Sequence, residues 1–313
     1  MLGIGDDAAA WQPSRSHLSV ITTDALVDGV HFRCELMSAE HIGHRAMAAN
    51  LSDIAAMGAR PVLVTIALGV PAQIAPGYVL DLYRGMQALA ARHGARIVGG
   101  DITRAPVLTL ALTVVGEVRP SHLCRRDAGR PGDVVAVTGM LGASRAGLEL
   151  LNSAIKVDPQ VAARASSAFS TPEPRVAEGR WLAASVNVHA MMDCSDGLST
   201  DLGRLAVASD CGAVIEDVPI DPAANAIASA AGALGRDYAL HGGEDFELIV
   251  TIAPRAFNYL AARFQKHFRR PLLRVGRLER QPGLRLAQAS TVSELLPAGW
   301  DHLREARVKH SVK

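Results

Sequence analysis

The stretch SAEHIGHRAMAANLSDIAAMGARPVLVTIALGV, residues 38–70, decides the fold class because a helical pattern gives way to a β-rich run within it. The β-rich run is VLVTIALGV at residues 62–70, and the helical pattern precedes it. The alternation continues on both sides, with β-rich runs at 18–27 and 107–118 and a second helical stretch at 77–94. Strands that alternate with helices predict an α/β domain, which we place at residues 1–117.

A connector without periodicity separates this half from the rest of the chain. RPSHLCRRDAGRPGD, residues 119–133, is rich in Pro, Gly and Arg and is typical of a link between domains. The alternation then resumes with strands at DVVAVTG, VHAMMD, GAVIED and FELIVTI and helices at ASRAGLELL, EPRVAEGRWLAAS and STDLGRLAVAS. A polar patch follows the first of these helices, and the Ala-rich residues 223–233 are interpreted as loop plus helix. Because 313 residues exceed the usual size of one core, we predict a second α/β domain at residues 118–313.

The charge balance indicates a small-molecule partner. Lys and Arg number 32 against 31 Asp and Glu, and a formal charge of +1 gives no electrostatic footprint for nucleic acid or an anionic membrane. The four cysteines are scattered, so neither a zinc site nor a disulfide framework is indicated, and free thiols fit a reducing cytoplasm. No apolar run approaches the roughly 18 residues of a membrane span, and no basic-then-apolar leader opens the chain. A cytoplasmic protein is therefore expected.

Carboxylates recur in short motifs beside Gly, Ser or Thr, nearly all at strand ends, where the binding sites of α/β proteins collect. They are Asp6 and Asp7 in GIGDDAA, Asp24 in ITTDAL, Asp53 in NLSDIAAMGA, Asp101 in IVGGDITR, Asp193 and Asp196 in MMDCSDGLSTD, and Glu244 and Asp245 in HGGEDFELIV. Each motif alone is compatible with an ordinary turn. Together they form an oxygen-rich set without thiols, which favours Mg²⁺ before Ca²⁺. Because Mg²⁺ held by a few carboxylates usually bridges to substrate phosphates, the expected ligand is a nucleotide.

Asp53 is the most informative of these carboxylates because it lies within a helical pattern. The helix face that it shares is made of small, apolar or amide side chains: Ala46, Ala49, Asn50, Ala56 and Met57. A carboxylate buried against such a face needs a partner. Three partners are possible at this stage, namely Arg45, another segment of the chain, or a bound cation.

Several common motifs are absent or incomplete. The chain has no GxxxxGK[ST], which excludes a P-loop enzyme. GIGDDA fits GxGxx[GA], but only Met1 and Leu2 precede it where a strand is required, so we discount it as a dinucleotide fingerprint. His41 and His44 share a helix face without a third ligand, which favours solvated or packing histidines over a metal site.

The motifs GIGDDAA, TTDALVDGVHF, NLSDIAAMGA, IVGGDITR, DCSDGLSTDLG and HGGEDFEL occur in the order and spacing of the thiamine-monophosphate kinase family, and GWDHL extends the match to the carboxyl terminus. The chain resembles this family, which belongs to the ATP-binding superfamily of aminoimidazole ribonucleotide synthetase. The resemblance implies a two-domain PurM-like fold, with an amino-terminal α/β domain that binds ATP and Mg²⁺ and forms a homodimer. It also implies a carboxyl-terminal α/β domain with substrate contacts. The implied reaction is in-line transfer of phosphate from ATP to thiamine monophosphate, assisted by several Mg²⁺ ions, in thiamine diphosphate biosynthesis.

The resemblance also implies roles for individual residues. The metal positions are Asp7, Thr22, Thr23, Asp24, Asp53, Asp101, Asp193 and Asp196, of which Asp24, Asp53 and Asp101 are the catalytic ones. The nucleotide positions are Tyr83, Gly100, Asp101, Arg126 and Ser195, and the substrate positions are His31, Glu244 and Trp300. Without the resemblance, Arg126 is equally compatible with a solvated arginine, Ser195 with a turn cap and Trp300 with a structural plug.

One departure and two alternatives stay open. The family usually carries a segment resembling EFxLI before GIGDD, whereas this chain begins almost directly at the motif, so a truncated enzyme or a misplaced start is expected. The first alternative is another ATP-dependent enzyme of the superfamily, of the cyclo-ligase type. The second is a truncated, non-catalytic nucleotide- or metal-binding module. Turnover of ATP with thiamine monophosphate separates the module from the enzyme.

Overall fold

The computed structural model describes residues 4, 8–9, 11–288 and 291–299 of the chain. Its first half consists of β1 (Leu18–Val27), α1 (Ala39–Ala56), β2 (Arg60–Val70), α2 (Pro76–Arg92), β3 (Arg96–Arg104) and β4 (Thr109–Val118). The four strands form one sheet in the order β1-β4-β2-β3, in which β2 and β3 are parallel and the other neighbours antiparallel. The predicted mixture of strands and helices is confirmed, and β1 has the predicted bounds.

The two faces of this sheet have different surroundings. Ile66 and Leu112 lie opposite each other and are fully buried on the face that packs against α1 and α2. Successive side chains of a strand point to opposite faces, so the neighbouring residues point away from the helices. We call that second side the open face, and its exposed or half-buried residues include Ile21, Thr23, Ala25, Thr65, Ala67, Asp101, Ala111, Thr113 and Val115. The open face is thus made largely of alanines and β-branched side chains.

A second sheet occupies the other half of the chain. Its strands are β5 (Val134–Val137), β6 (Val188–Cys194), β7 (Gly212–Ile215), β8 (Glu247–Ile252), β9 (Leu273–Glu279), β10 (Gly283–Gln288) and β11 (Thr291–Glu294), in the order β11-β10-β7-β9-β5-β8-β6. The helices are α3 (Ala143–Asn152), α4 (Pro159–Ser170), α5 (Val176–Ala183), α6 (Leu198–Ala208), α7 (Pro222–Ala230), α8 (Gly235–His241) and α9 (Pro254–Phe268). Across the described ranges, no helix combines the length and apolar character needed to cross a bilayer.

Helix α4 occupies the region that the sequence shows only as a polar patch. Its start is fixed by Asp158, whose side chain accepts a hydrogen bond from the backbone N–H of Gln160 at 2.8 Å, and by Pro159 at the first helical position. Ala165 and Phe169, one turn apart, are its buried residues. The helix was missed because this apolar stripe is narrow among serines and arginines.

Helix α1 lies between the two halves of the molecule. It contacts α2, β1 and β4 on one side and α5 and β6 on the other. Two glycines allow α1 and α2 to approach closely: a Cβ atom at Gly43 would lie 2.0 Å from the carbonyl oxygen of Leu82, and one at Gly85 would lie 1.9 Å from that of Glu40. The position of α1 therefore depends on these glycines.

We expect Gly85→Ala to lower the free energy of unfolding by about 2–3 kcal/mol, because the added methyl group overlaps the backbone of α1 and forces the helices apart. Gly77→Ala is the matched control on the same helix, since no atom lies within 4 Å of a Cβ atom there and alanine favours a helix. Urea unfolding of both variants measures the difference. Equal midpoints for the two variants would contradict the close packing of α1 and α2.

Candidate functional site

A cavity of 520 Å³ lies where the first half of the chain meets the second. It is bounded by β1 and α1 on one side and by the turns that follow β6 and α8 on the other. Seven residues that the sequence nominates line it: Asp24, His31, Asp53, Asp193, Ser195, Asp196 and Glu244. The fold thus gathers metal, nucleotide and substrate candidates from both halves at one place.

Helix α1 positions the acidic end of this cavity through hydrogen bonds to both sheets. The hydroxyl of Thr22 on β1 donates to the Asp53 carboxylate. Asn50 accepts from the backbone N–H of Asp24 at 3.1 Å, and the Ser52 hydroxyl donates to the Asp193 carboxylate at 3.0 Å. Sequence reasoning did not nominate Asn50 or Ser52. Their place in the NLSD motif, directly before Asp53, is the signal that could have identified them.

Three carboxylates at this end, Asp24, Asp53 and Asp193, form no ion pair within the described residues, whereas Asp196 pairs with Arg204. Burial, and next the charges of Asp53 and Asp196, raise the pKa of Asp24 to about 6. Burial also raises the pKa of Asp53, against the Thr22 hydrogen bond and the charge of Arg126, which lower it. The pKa of Asp193 is well above its ordinary value, first through burial and then through Asp53. Acidic groups that resist ionisation in this way gain stability from a bound cation.

The donors at the acidic end fit Mg²⁺, because they are carboxylate and hydroxyl oxygens without thiolate or imidazole. Within the described ranges, no three His, Cys, Asp or Glu side chains are close enough to bind one ion by themselves. This suits an ion that keeps several waters and takes oxygens from phosphates rather than a closed protein cage. The residues therefore fit a cation held jointly by the protein and a phosphate ligand.

Arg45 does not balance Asp53, one of the three possibilities that the sequence left open. Its guanidinium forms an ion pair with Glu244 at the other end of the cavity. The backbone N–H of Glu244 donates to the carbonyl oxygen of Ser195 at 2.7 Å, so the turn after α8 is joined to the turn after β6. Glu244 itself has a φ of 59°, a left-handed conformation that costs free energy outside glycine.

Two carboxylates that the sequence analysis gave no role hold these turns, of which Asp201 is buried and Asp245 half-buried. Asp201 accepts hydrogen bonds from the backbone N–H groups of Ser195 at 3.0 Å and Asp196 at 2.8 Å. Asp245 accepts from Gly142 at 2.8 Å and from Ser144 at 3.3 Å, at the start of α3. Burial raises the pKa of each carboxyl group to about 7. Asp201 lies five residues after Asp196 in the same motif, which is the sequence signal for it.

Other nominated residues lie away from the cavity. Gly100 and Asp101 are on β3, at the opposite edge of the sheet from β1. Thr23 points to the open face, where its hydroxyl donates to the carbonyl oxygen of Leu112 at 2.9 Å. Tyr83 is half-buried on α2. Arg126 is exposed in the connector, and its charge acts on Asp53. Asp7 and Trp300 lie outside the described residues.

Away from the aspartates, the cavity lining is largely apolar and also contains Arg33, Arg45 and Asn152. The apolar walls come from the end of β1 and the segment after it, from α3 and from α4, and comprise Leu26, Phe32, Met37, Leu148, Leu151 and Phe169. His31 and Glu244 lie at the same place, and Nδ1 of His31 accepts a hydrogen bond from the backbone N–H of Val27 at 3.1 Å. One cavity thus joins an acidic end suited to cations and phosphates with an apolar end suited to a ring system.

Two family models match the chain. AIR synthase related protein, N-terminal domain, matches residues 5–118, and AIR synthase related protein, C-terminal domain, matches residues 130–267. A thiamine-monophosphate kinase from Rhodopirellula baltica is 36% identical over 312 residues, which cover 96% of this chain and 91% of the relative.

Two solved structures are similar to this chain in fold. The crystal structure of thiamine-monophosphate kinase from Stenotrophomonas maltophilia K279a aligns with a TM-score of 0.84 at 36% identity, over 91% of this chain and 90% of that one. The structure of AaThiL complexed with AMPPCP and TMP aligns with a TM-score of 0.82 at 29% identity, over 93% of this chain and 89% of that one.

Proposed function

Because the chain belongs to the thiamine-monophosphate kinase family, within the AIR synthase related proteins, we propose that it transfers the γ-phosphoryl group of ATP to thiamine monophosphate. The products are ADP and thiamine diphosphate. The observation that carries this proposal is the cavity between the two halves of the chain, with carboxylates at one end and largely apolar walls at the other. That AaThiL was solved with AMPPCP and TMP supports the same pair of substrates here.

The acidic end is the phosphate end in this proposal. Asp24, Asp53 and Asp193 would hold Mg²⁺, with Asp196 at the edge of the group and Ser195 beside the nucleotide. Bound Mg²⁺ would reduce the repulsion between the two negatively charged phosphate groups and align them. The protein contributes the fixed placement of its carboxylates, which the hydrogen bonds from Thr22 and Ser52 secure.

The transfer is direct and in line. An oxygen of the thiamine monophosphate phosphate group attacks the γ-phosphorus, the bond from that phosphorus to the bridging oxygen breaks, and ADP leaves with the electron pair. The attacking oxygen is already ionised at neutral pH, so no general base is needed. The aspartates accordingly need no proton-transfer role. Catalysis then comes from electrostatic stabilisation of the transition state by correctly placed charges.

A single-turnover chase with ATP labelled at the γ-phosphate tests direct transfer. We expect ATP to lose the label at the same rate as thiamine diphosphate gains it. No label is expected on the quenched protein. Label that appears first on the protein would contradict direct transfer and indicate a phosphoenzyme.

The apolar end is the acceptor end. Thiamine carries a cationic thiazolium and a flat pyrimidine, and aromatic and aliphatic walls such as Phe32, Met37 and Phe169 suit both rings. Glu244 adds a carboxylate, one oxygen of which pairs with Arg45 while the other remains to face the positive ring, and His31 also lines this part of the cavity. The phosphate of the substrate would then extend toward Asp24 and Asp53.

We further propose that the chain acts as a homodimer through the open face, which explains the position of Asp101. Asp101, Ala67, Ala111 and Ala25 form one row across the sheet, so Asp101 lies three strand spacings, about 14 Å, from β1. A second copy packed on the open face, with its two-fold axis parallel to the strands, places β3 of one subunit over β1 of the other. Because β1 is an edge strand, Asp101 would then lie beside Thr23 and Ala25 of the partner subunit, each one residue from Asp24, and complete the metal site around the edge of the sheet.

We expect MgCl₂ to raise the Tm of the nucleotide-free protein by about 2–4 °C more at pH 8 than at pH 6, a difference of about 1 kcal/mol. The pKa of Asp24 is about 6 in the folded protein against 3.8 ordinarily, so the metal-free folded state takes up protons that the unfolded chain does not. Without metal, stability therefore falls as pH rises from about 4 to 6. At pH 8 Asp24 is ionised, and Mg²⁺ binds beside it without displacing its proton.

Thermal unfolding in MgCl₂ and in NaCl of equal ionic strength measures this effect and separates it from salt screening. An equal Mg²⁺ effect at both pH values would contradict a cation site built on these carboxylates.

A further inference from the structure

Arg45 is a buried cation whose partners both belong to the walls of the cavity. Its side chain is only 1% exposed, and a charge is stable at such a place only if it is paired and hydrogen-bonded. One guanidinium nitrogen pairs with Glu244, and another donates to the carbonyl oxygen of Phe169 at 2.5 Å. The guanidinium also lies over the Phe169 ring, 4.0 Å from its centroid. One side chain thus binds the turn after α8 and the end of α4 together.

The turn that carries Glu244 needs such a side-chain contact. Its backbone is held by the Ser195 carbonyl oxygen and by the hydrogen bonds of Asp245 to the start of α3. These contacts fix the main chain and leave the Glu244 carboxylate, 34% exposed, to be oriented by Arg45. Phe169, the last buried residue of α4, packs in the hydrophobic core and presents its ring to the Arg45 guanidinium.

Arg45 also relates the acceptor end to the phosphate end. It lies on α1 two turns before Asp53, which is about 12 Å along the helix axis. A single rigid helix therefore sets the separation between the Glu244 carboxylate and the carboxylates that would hold Mg²⁺. Helix α1 therefore fixes the distance that a substrate bound at both ends of the cavity must span.

We propose that Arg45 is a positioning residue that orients Glu244 and Phe169 against the cationic aromatic part of the acceptor. This inference rests on the proposed function and extends it to a residue that does not touch the reacting atoms. The fork of the guanidinium is essential, because a lysine ammonium cannot reach both partners and stack on the ring.

We expect Arg45→Met to raise the KM for thiamine monophosphate about tenfold or more, with kcat and the KM for ATP changed less than about threefold. Arg45→Lys keeps the charge and is expected to show an intermediate increase, and it serves as the test if the methionine variant does not fold. Arg84→Met is the matched control, because Arg84 is an exposed arginine on α2 that pairs with Asp81. A parallel rise in both KM values would show a merely structural role and overturn the proposal.

A double-mutant cycle with Glu244→Gln tests whether Arg45 acts through Glu244. We expect the two substitutions together to raise the KM for thiamine monophosphate little more than Glu244→Gln alone. Effects that multiply independently would overturn the proposal. If the wild type does not phosphorylate thiamine monophosphate, the proposed function fails, and the same cycle on urea midpoints still tests the pairing. Midpoint shifts that add independently would then contradict it.

Discussion

Asp53→Asn is expected to lower kcat by about 10³-fold while the protein stays folded. Loss of one carboxylate from the acidic end removes several kcal/mol of charge stabilisation from the phosphoryl-transfer transition state, and about 4 kcal/mol corresponds to this factor. The amide oxygen of asparagine still accepts the hydrogen bond from Thr22. Because burial already disfavours the ionised form of Asp53, the variant should melt at the same temperature or higher.

Turnover and thermal unfolding are measured on the same preparation. Asp81→Asn is the control, since Asp81 is a partly exposed carboxylate on α2 remote from the cavity lining. Asp53→Asn with a wild-type kcat and an unchanged Tm would contradict the assignment of the acidic end as the phosphate end.

Mixing two inactive variants is expected to restore activity if Asp101 acts across the dimer. In a hybrid of Asp53→Asn and Asp101→Asn, one site takes Asp53 from one subunit and Asp101 from the other, and is therefore intact. Random exchange makes half of the dimers hybrids with one working site, so about a quarter of wild-type activity should return. Subunit exchange in mild urea followed by dilution and assay measures the recovery.

The matched control is a mixture of Asp53→Asn with Asp193→Asn. Both carboxylates line the cavity of one chain, so each chain of that hybrid has a defective site and no activity should return. Failure of the Asp53→Asn and Asp101→Asn mixture to recover, with hybrid dimers shown by mass, would contradict a site completed by the partner. A monomeric wild type in sedimentation would contradict the dimer itself.

The strength of the local pattern decided how well each element was predicted. β1 has its predicted bounds because its β-rich run is uninterrupted, and α1 begins one residue after Ser38, whose side chain caps it. Helix α4 was missed because only a narrow stripe of it is buried. Pairing order is non-local, so the sequence did not predict that β1 and β3 lie at opposite edges of their sheet.

The candidate site shows the same division between local and non-local information. Motif residues such as Asp24, Asp53, Asp193 and Glu244 could be nominated from the sequence, and they meet at one cavity. Thr22 hydrogen-bonds Asp53 whereas Thr23 points to the open face, because successive residues of a strand point to opposite sides of the sheet. The partner of Arg45 could not be predicted, because it is set by the packing of two segments that are far apart in the chain.

The most direct measurement of the central claim is the stoichiometry of products formed by the wild-type protein. Incubation with ATP, MgCl₂ and thiamine monophosphate, followed by chromatography, quantifies ADP and thiamine diphosphate together, and unphosphorylated thiamine serves as the control acceptor. We predict one thiamine diphosphate for each ADP with thiamine monophosphate, and no phosphorylated product with thiamine. Nucleotide binding without turnover, or ADP released without thiamine diphosphate, would contradict the account.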